Sequence, residues 1–241
     1  MKKIKTSLAL MLMAPAFSFA GAVMQSSAVP VNHVFSPAGF DSNDNVELVV
    51  TGYLPNLCFK APQSQVEVNG KKIAVSVKAN KTQVGLGFCL DVVVPFIEHI
   101  KVGLLDKGKY EIAVNENSSL AKKSSIAIAE ASSSSIDEVV YADVDDVVRV
   151  DDGSRKILLK GYNPSDCFEL KEIVVLDNGV DTYSILPKMK QVKSFCPKKM
   201  IPFTYEMEVP EKLEADKVLL HVRVMDGRAI NTIFNNKPLL E

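Results

Sequence analysis

The chain states one pattern twice, and that repetition constrains its fold more than any other feature. Residues 52–59 read Gly-Tyr-Leu-Pro-Asn-Leu-Cys-Phe, and residues 161–168 read Gly-Tyr-Asn-Pro-Ser-Asp-Cys-Phe. Asn-Gly follows eleven residues after each Cys, at Asn69-Gly70 and Asn178-Gly179. Six residues past a second Cys, Cys89 or Cys196, comes Pro-Phe, at Pro95-Phe96 and Pro202-Phe203. A Val stands six residues past each Phe, at Val102 and Val209. A register shared this far implies a tandem duplication of one disulfide-bearing unit.

The N-terminus reads as a secretory signal over residues 1–20. Lys2, Lys3 and Lys5 precede an apolar run over residues 7–17, and small residues follow at Ser18, Ala20 and Ala22, so cleavage is expected after Ala20 or Ala22. No Cys follows the run to accept a lipid, and no later stretch reaches membrane-spanning length. The mature protein is therefore expected to be periplasmic or secreted, with no integral membrane span. The 28 basic and 29 acidic residues give a net charge of −1, and removing the three signal lysines leaves 25 against 29, or −4. Phosphate binding draws on clustered Lys and Arg, so this mildly acidic balance argues against nucleic acid as a partner and against an electrostatic grip on anionic lipid.

An even number of Cys in an exported chain reads as disulfides. Of the three pairings open to four Cys, the repeat favours Cys58 with Cys89 and Cys167 with Cys196, because each unit then closes on itself. Each bridge would close a loop of about 30 residues, worth about 3–4 kcal/mol on the chain-entropy account. No C-x-x-C occurs, and the three His (His33, His99, His221) lie far from any Cys in sequence, which argues against a redox or metal role.

Strand signals fill both halves. Alternation runs through residues 46–51, 65–68 and 73–78, and Asn69-Gly70 between the last two predicts a hairpin on a type I′ turn. The second half repeats the plan around residues 156–160, 172–176, 181–186, 203–209 and 218–224. Possible lead strands lie near Val34-Phe35 and near residues 139–141, giving six or seven strands per half and no amphipathic helix. The expected fold is all-β: two tandem immunoglobulin-like β-sandwiches over residues 30–116 and 136–235, each with one internal disulfide. Residues 117–135, rich in Ser, read as a linker, with Ile126 and Ile128 leaving room for one short strand. Pro55, Pro164, Pro95 and Pro202 are expected to end or interrupt strands. Phe59, Phe96, Phe168 and Phe203 are core candidates.

The succession Gly-x-x-Pro-x-x-Cys, hairpin, second Cys and Pro-Phe, then Leu105-x-x-Gly108-x-Tyr110 and Val114-Asn115, resembles a disulfide-stapled immunoglobulin-like unit of bacterial secreted and envelope proteins. The likeness is clearer over residues 34–115, because the second half lacks the Gly-x-Tyr piece and reads Glu214-Ala215-Asp216-Lys217. It implies a sandwich fold and an exported location, and transfers no catalytic residue.

Two polar features invite a functional reading. Asp41 and Asp44 precede the first main strand, and Asp143, Asp145 and Asp146, with Asp151 and Asp152, precede its counterpart. Clustered oxygen ligands suit Ca²⁺, although the EF-hand pattern is absent and such residues also form turns. Tyr53 with Pro55 and Tyr162 with Pro164 recur at one repeat position, as a paired partner-binding surface or as corner tyrosines bonded to backbone. No catalytic Ser, Cys or His constellation is visible and no cofactor is implied apart from that Ca²⁺ reading. His99 is expected to face solvent and His221 to be a satisfied, partly buried imidazole. The expected function is non-enzymatic: an exported binding or structural protein whose partner is a protein or envelope component. The alternatives are an inhibitor of secreted proteases and a hydrolase with an unrecognised site.

Overall fold

Alternating apolar and polar residues build most strands in the computed structural model, which describes residues 24–82, 88–134, 139–151 and 154–236. The signal read over residues 1–20 and Asp152 lie outside the described residues. Among the described residues there are sixteen strands and no helix. The first half contains β1 (Met24–Ala28), β2 (Val31–Phe35), β3 (Phe40–Asp41), β4 (Val46–Leu54), β5 (Phe59–Asn69), β6 (Lys72–Thr82), β7 (Val94–Gly103), β8 (Gly108–Val114) and β9 (Lys122–Ala129). Strands β2-β4-β7 form one sheet. In the other, β5 flanks one side of β6, β1 and β8 share its other side, and β9 and β3 follow.

The second half contains β10 (Val144–Arg149), β11 (Lys156–Asn163), β12 (Phe168–Asp177), β13 (Thr182–Gln191), β14 (Ile201–Glu208), β15 (Lys217–Val224) and β16 (Arg228–Asn235). Its sheets, β10-β11-β14 and β12-β13-β15-β16, have the strand order of β2-β4-β7 and β5-β6-β8-β9. The correspondence reaches unusual details. The hairpin's second strand pairs in parallel with a later strand in both halves, β6 with β8 and β13 with β15. Both lead strands carry a bulge, between Val31 and His33 and between Val144 and Asp146.

The repeated Gly and Phe are cross-strand partners, Gly52 with Phe96 and Gly161 with Phe203. A Cβ on Gly52 would sit 2.2 Å from the Pro30 carbonyl oxygen and 2.5 Å from Phe96 Cζ. On Gly161 it would sit 2.0 Å from the Asp143 carbonyl oxygen and 2.9 Å from Phe203 Cζ. The bulged lead strand comes so close that only glycine fits, and the Phe ring covers the gap. Phe59 and Phe96 pack on the first core, and Phe168 and Phe203 on the second.

Disulfides join Cys58 to Cys89 and Cys167 to Cys196, each with a Cα–Cα distance of 5.5 Å. Pro55 and Pro164 directly follow β4 and β11, as expected. Pro95 and Pro202 do not interrupt structure: each is the second residue of β7 or β14, edge strands on which a missing N–H leaves no central ladder bond unmade. The first hairpin also differs from expectation. Asn69 pairs with Lys72, so Gly70 and Lys71 occupy the turn, and only Gly70 has a positive φ (57°), the pattern of a II′ rather than a I′ turn. Within the expected linker, residues 122–129 form β9, antiparallel to β8, because Ile126 and Ile128 find room in the first core.

Two cores, one per half, are joined by a smaller cluster of Phe35, Val49 and Leu219, with Ile233 against it. Val46, Leu48 and Val50 face the first core, so Glu47, Val49 and Thr51 face outward from β4. Likewise Val218, Leu220, Val222 and Val224 face the second core, leaving Leu219, His221 and Arg223 on the outer face of β15. These two outer faces meet, and the four sheets stack in series. That is why seven of the eight residues of β15 are buried.

Candidate functional site: the seam and the two disulfide ends

The seam between the halves is lined with polar pairs on either side of its apolar centre. At one margin His33 Nε2 lies 2.6 Å from Asp181 Oδ2. Asp181 is placed by the second Asn-Gly: Asn178 Oδ1 accepts the N–H groups of Val180, Asp181 and Thr182, and Asn178 Nδ2 donates to the Ser36 carbonyl across the seam. Burial pushes the Asp181 carboxyl up, but its hydrogen bonds from His33, Asn178 and Thr182 win, and its pKa is lowered overall.

At the opposite margin Arg223 reaches from β15 into the first half. Its Nη1 donates to Asp44 Oδ2 at 3.0 Å and to the Gly39 carbonyl at 2.9 Å, and its Nη2 pairs with Asp44 Oδ1. The side chains are 7% and 3% exposed, so the ion pair is buried. The guanidinium also lies over the rings of Phe40 and Tyr141.

Between these margins lie the other two histidines. His221 is 1% exposed, with Nδ1 2.8 Å from Asn231 Oδ1. Its Nε2, expected to be satisfied, has no hydrogen-bond partner among the described residues. Burial lowers the His221 pKa to about 4, keeping the imidazole neutral. Asn231 Nδ2 bonds Glu47 Oε1 and lies 3.0 Å from His99 Nδ1. His99 is exposed, as expected, and also borders the seam: its Nδ1 lies 3.7 Å from Glu47 Oε1, and that carboxylate raises its pKa. For Glu47, burial acts upward but the bond to His99 and its neighbours lowers the pKa overall.

The aspartates of the Ca²⁺ reading are dispersed. Asp41 organises a turn, accepting the Asn43 N–H, while Asp44 holds Arg223. Asp143 pairs with Arg228 at 2.7 Å, and Asp145 and Asp146 are exposed on β10. Among the described residues no group of three His, Cys, Asp or Glu is placed to hold a metal ion. Asp44 and Asp143 face arginines that lie far away in sequence.

Tyr53 is half-buried and Tyr162 is 44% exposed. The role of bonding hydroxyl to backbone falls instead to Tyr110, which donates to the Asp106 carbonyl, and to Tyr183. The Tyr183 hydroxyl donates to the Pro210 carbonyl and accepts the N–H groups of Lys212 and Leu213.

Pro55 and Pro164 stand at the disulfide ends, beside residues the sequence reading passed over. Leu57 N–H donates to the Leu90 carbonyl at 3.1 Å, and Lys199 N–H to the Pro164 carbonyl at 3.0 Å. Phe88 and Phe195, each directly before the second Cys of its unit, are 82% and 80% exposed. Leu57, Leu90, Val92 and Val93 join Phe88, and Val192 and Met200 join Phe195, as exposed apolar residues. The signal was available: Phe-Cys occurs at both repeat positions. Strand β2 runs away from the Cys58 end, whereas β13 and β15 run toward the Cys167 end. His33 nevertheless meets the start of β13, and Asp44, beyond β2, meets the end of β15. The halves therefore stack head to tail, with their disulfide ends at opposite extremes.

Residues 48–122 match the family of the ORF11 beta-sandwich domain. The match covers β4 to the start of β9, the first disulfide included. No curated protein and no solved structure matches the chain significantly.

Proposed function

We propose that this chain is an exported, non-enzymatic binding and spacer protein of the cell envelope, built from two duplicated sandwiches, whose disulfide ends engage partners. The observation that carries this reading is the pair of exposed phenylalanines on stapled loops at opposite extremes of a four-sheet stack. Contiguous exposed apolar residues mark interaction surfaces, and disulfides persist in oxidising compartments. Among the described residues no helix is long and apolar enough to cross a membrane.

The interior supports a role without chemistry. Ser184 and His221 stand opposite one another across β13 and β15, with Asn231 on His221 Nδ1. Both are sealed in the seam at 0% and 1% exposure, and Ser184 Oγ and His221 Nε2 have no hydrogen-bond partner among the described residues. A substrate would have to part the halves to reach them. Inhibition of secreted proteases is the second reading, favoured by the exposed loop of residues 192–200 pinned at Cys196.

The test is site-specific photo-crosslinking in envelope fractions with the probe beside each phenylalanine, at position 90 or 192, or, as a control, at position 65 on β5. Crosslinked adducts are expected from the two ends, and Phe88→Ala or Phe195→Ala should remove them without changing the melting temperature. Equal crosslinking from position 65, or adducts that survive both substitutions, would sink the reading. A panel of secreted proteases assayed with the pure protein tests the second reading, and uniform lack of inhibition ends it.

A further inference from the structure

The two ends differ in chemistry. Residues 188–200 contain five lysines (Lys188, Lys190, Lys193, Lys198 and Lys199) and no Asp or Glu. Three of them meet carboxylates: Lys188 with Glu172 at 3.8 Å, Lys190 with Glu169 at 3.6 Å and Lys193 with Asp166 at 2.7 Å. Lys198 and Lys199 are exposed, and neither forms a salt bridge among the described residues, although the charge of Lys199 helps lower the Asp166 pKa. Phe195 and Met200, 80% and 65% exposed, project from the same segment. The segment is held in place by the Cys167–Cys196 bond and by backbone bonds from Val192 N–H to the Cys167 carbonyl and from Lys199 N–H to the Pro164 carbonyl. The first unit's end is apolar too, but its exposed residues 88–93 carry Asp91, and its cations, Lys60 and Lys81, sit on β5 and β6 rather than on the Phe88 segment.

We propose that the Cys167–Cys196 end docks on an anionic lipid surface, with Phe195 and Met200 entering the interface and Lys198 and Lys199 pairing with headgroup phosphates. This rests on the reading of the ends as binding surfaces. An apolar contact or a basic cluster alone holds a protein at a membrane only marginally, and the two together hold it well. Protein interfaces deplete Lys and seat their aromatic anchors in pockets, whereas a convex end with protruding Phe and surplus Lys matches a soft, negatively charged surface. Whole-chain charge, mildly acidic, argued against such a grip; the structure places two lysines without a salt bridge, Lys198 and Lys199, beside Phe195 and Met200 at one extreme.

The test is sedimentation of the mature chain with vesicles of phosphatidylcholine alone and with added phosphatidylglycerol. Binding is expected only to the anionic vesicles and should weaken with salt. Lys198→Ala with Lys199→Ala should weaken it about thirtyfold, the worth of two lysines near an anionic surface. Phe195→Ser should weaken it as well, and Phe88→Ser, at the far end, should not. An unchanged melting temperature and an intact disulfide would show that each variant is folded. Equal binding to neutral vesicles, no binding, or indifference to the lysine substitutions would overturn the inference. If vesicle binding is absent while Phe195→Ala still abolishes the crosslinks, the lipid inference alone falls; if the crosslinks also persist, both fall.

Discussion

Replacing Asp44 with Asn keeps the shape of the seam and removes one charge. Arg223 would then be left with a neutral amide and the Gly39 carbonyl, at 7% side-chain exposure. Removing one member of a buried ion pair costs about 3–5 kcal/mol, because the remaining charge is desolvated without compensation. For a protein of this size, 1 kcal/mol moves the melting temperature by about 2–4 °C, so a fall of about 10 °C is expected if the halves melt together. The control is Asp143→Asn, which breaks the Arg228 pair at 55% and 35% exposure and should cost less than about 1 kcal/mol. Joint replacement of Asp44 by Leu and Arg223 by Met should recover much of the loss, since an apolar pair carries no desolvation cost. Calorimetry of the three variants beside the parent reads all of this. A shift for Asp44→Asn no larger than for Asp143→Asn would refute the claim that the buried pair fastens the seam.

Acid should loosen the same seam. The His221 pKa of about 4 lies below its unfolded value near 6.5, so the unfolded state binds the extra proton and stability falls as pH drops from about 6.5 to 4, by on the order of 3 kcal/mol. His99, with a raised pKa, acts in the opposite direction, its contribution being full below about 6.5 and lost as pH rises through its folded value; it is partly exposed and screened. Urea unfolding across this range should show the loss, and His221→Gln should flatten it; an unchanged slope in that variant would contradict the assignment. Gly161→Ala should cost about 3 kcal/mol, since its Cβ would lie 2.0 Å from the Asp143 carbonyl oxygen, and a variant melting like the parent would rule out the close approach. Replacing Cys58 and Cys89 together by Ser should cost about 3–4 kcal/mol for a bridge spanning 31 residues, as chemical unfolding would read.

The sequence by itself determined what depends on local spacing. Alternation set most strands, the doubled register set two units of like plan, and the Cys positions set which loops are stapled. Gly52 and Gly161, repeated with Phe96 and Phe203, already encoded the tight strand approach. The tertiary structure decided everything that depends on which outer face meets which. That Asp44 answers Arg223, 179 residues away, could not be read from an acidic loop, because a carboxylate in a turn looks the same whether it awaits calcium, water or an arginine. The nearly unbroken apolar run of β15, interrupted only by His221 and Arg223, hinted at burial on both faces, but it could not name the sheet that covers the second one. The exposure of Phe88 and Phe195 was likewise hidden, since a Phe beside a structural Cys is ordinarily core. Only the closed sandwiches show that the cores are filled by other side chains, with Phe59, Phe96, Phe168 and Phe203 packed against them, leaving these two rings in water at the far ends of the stack.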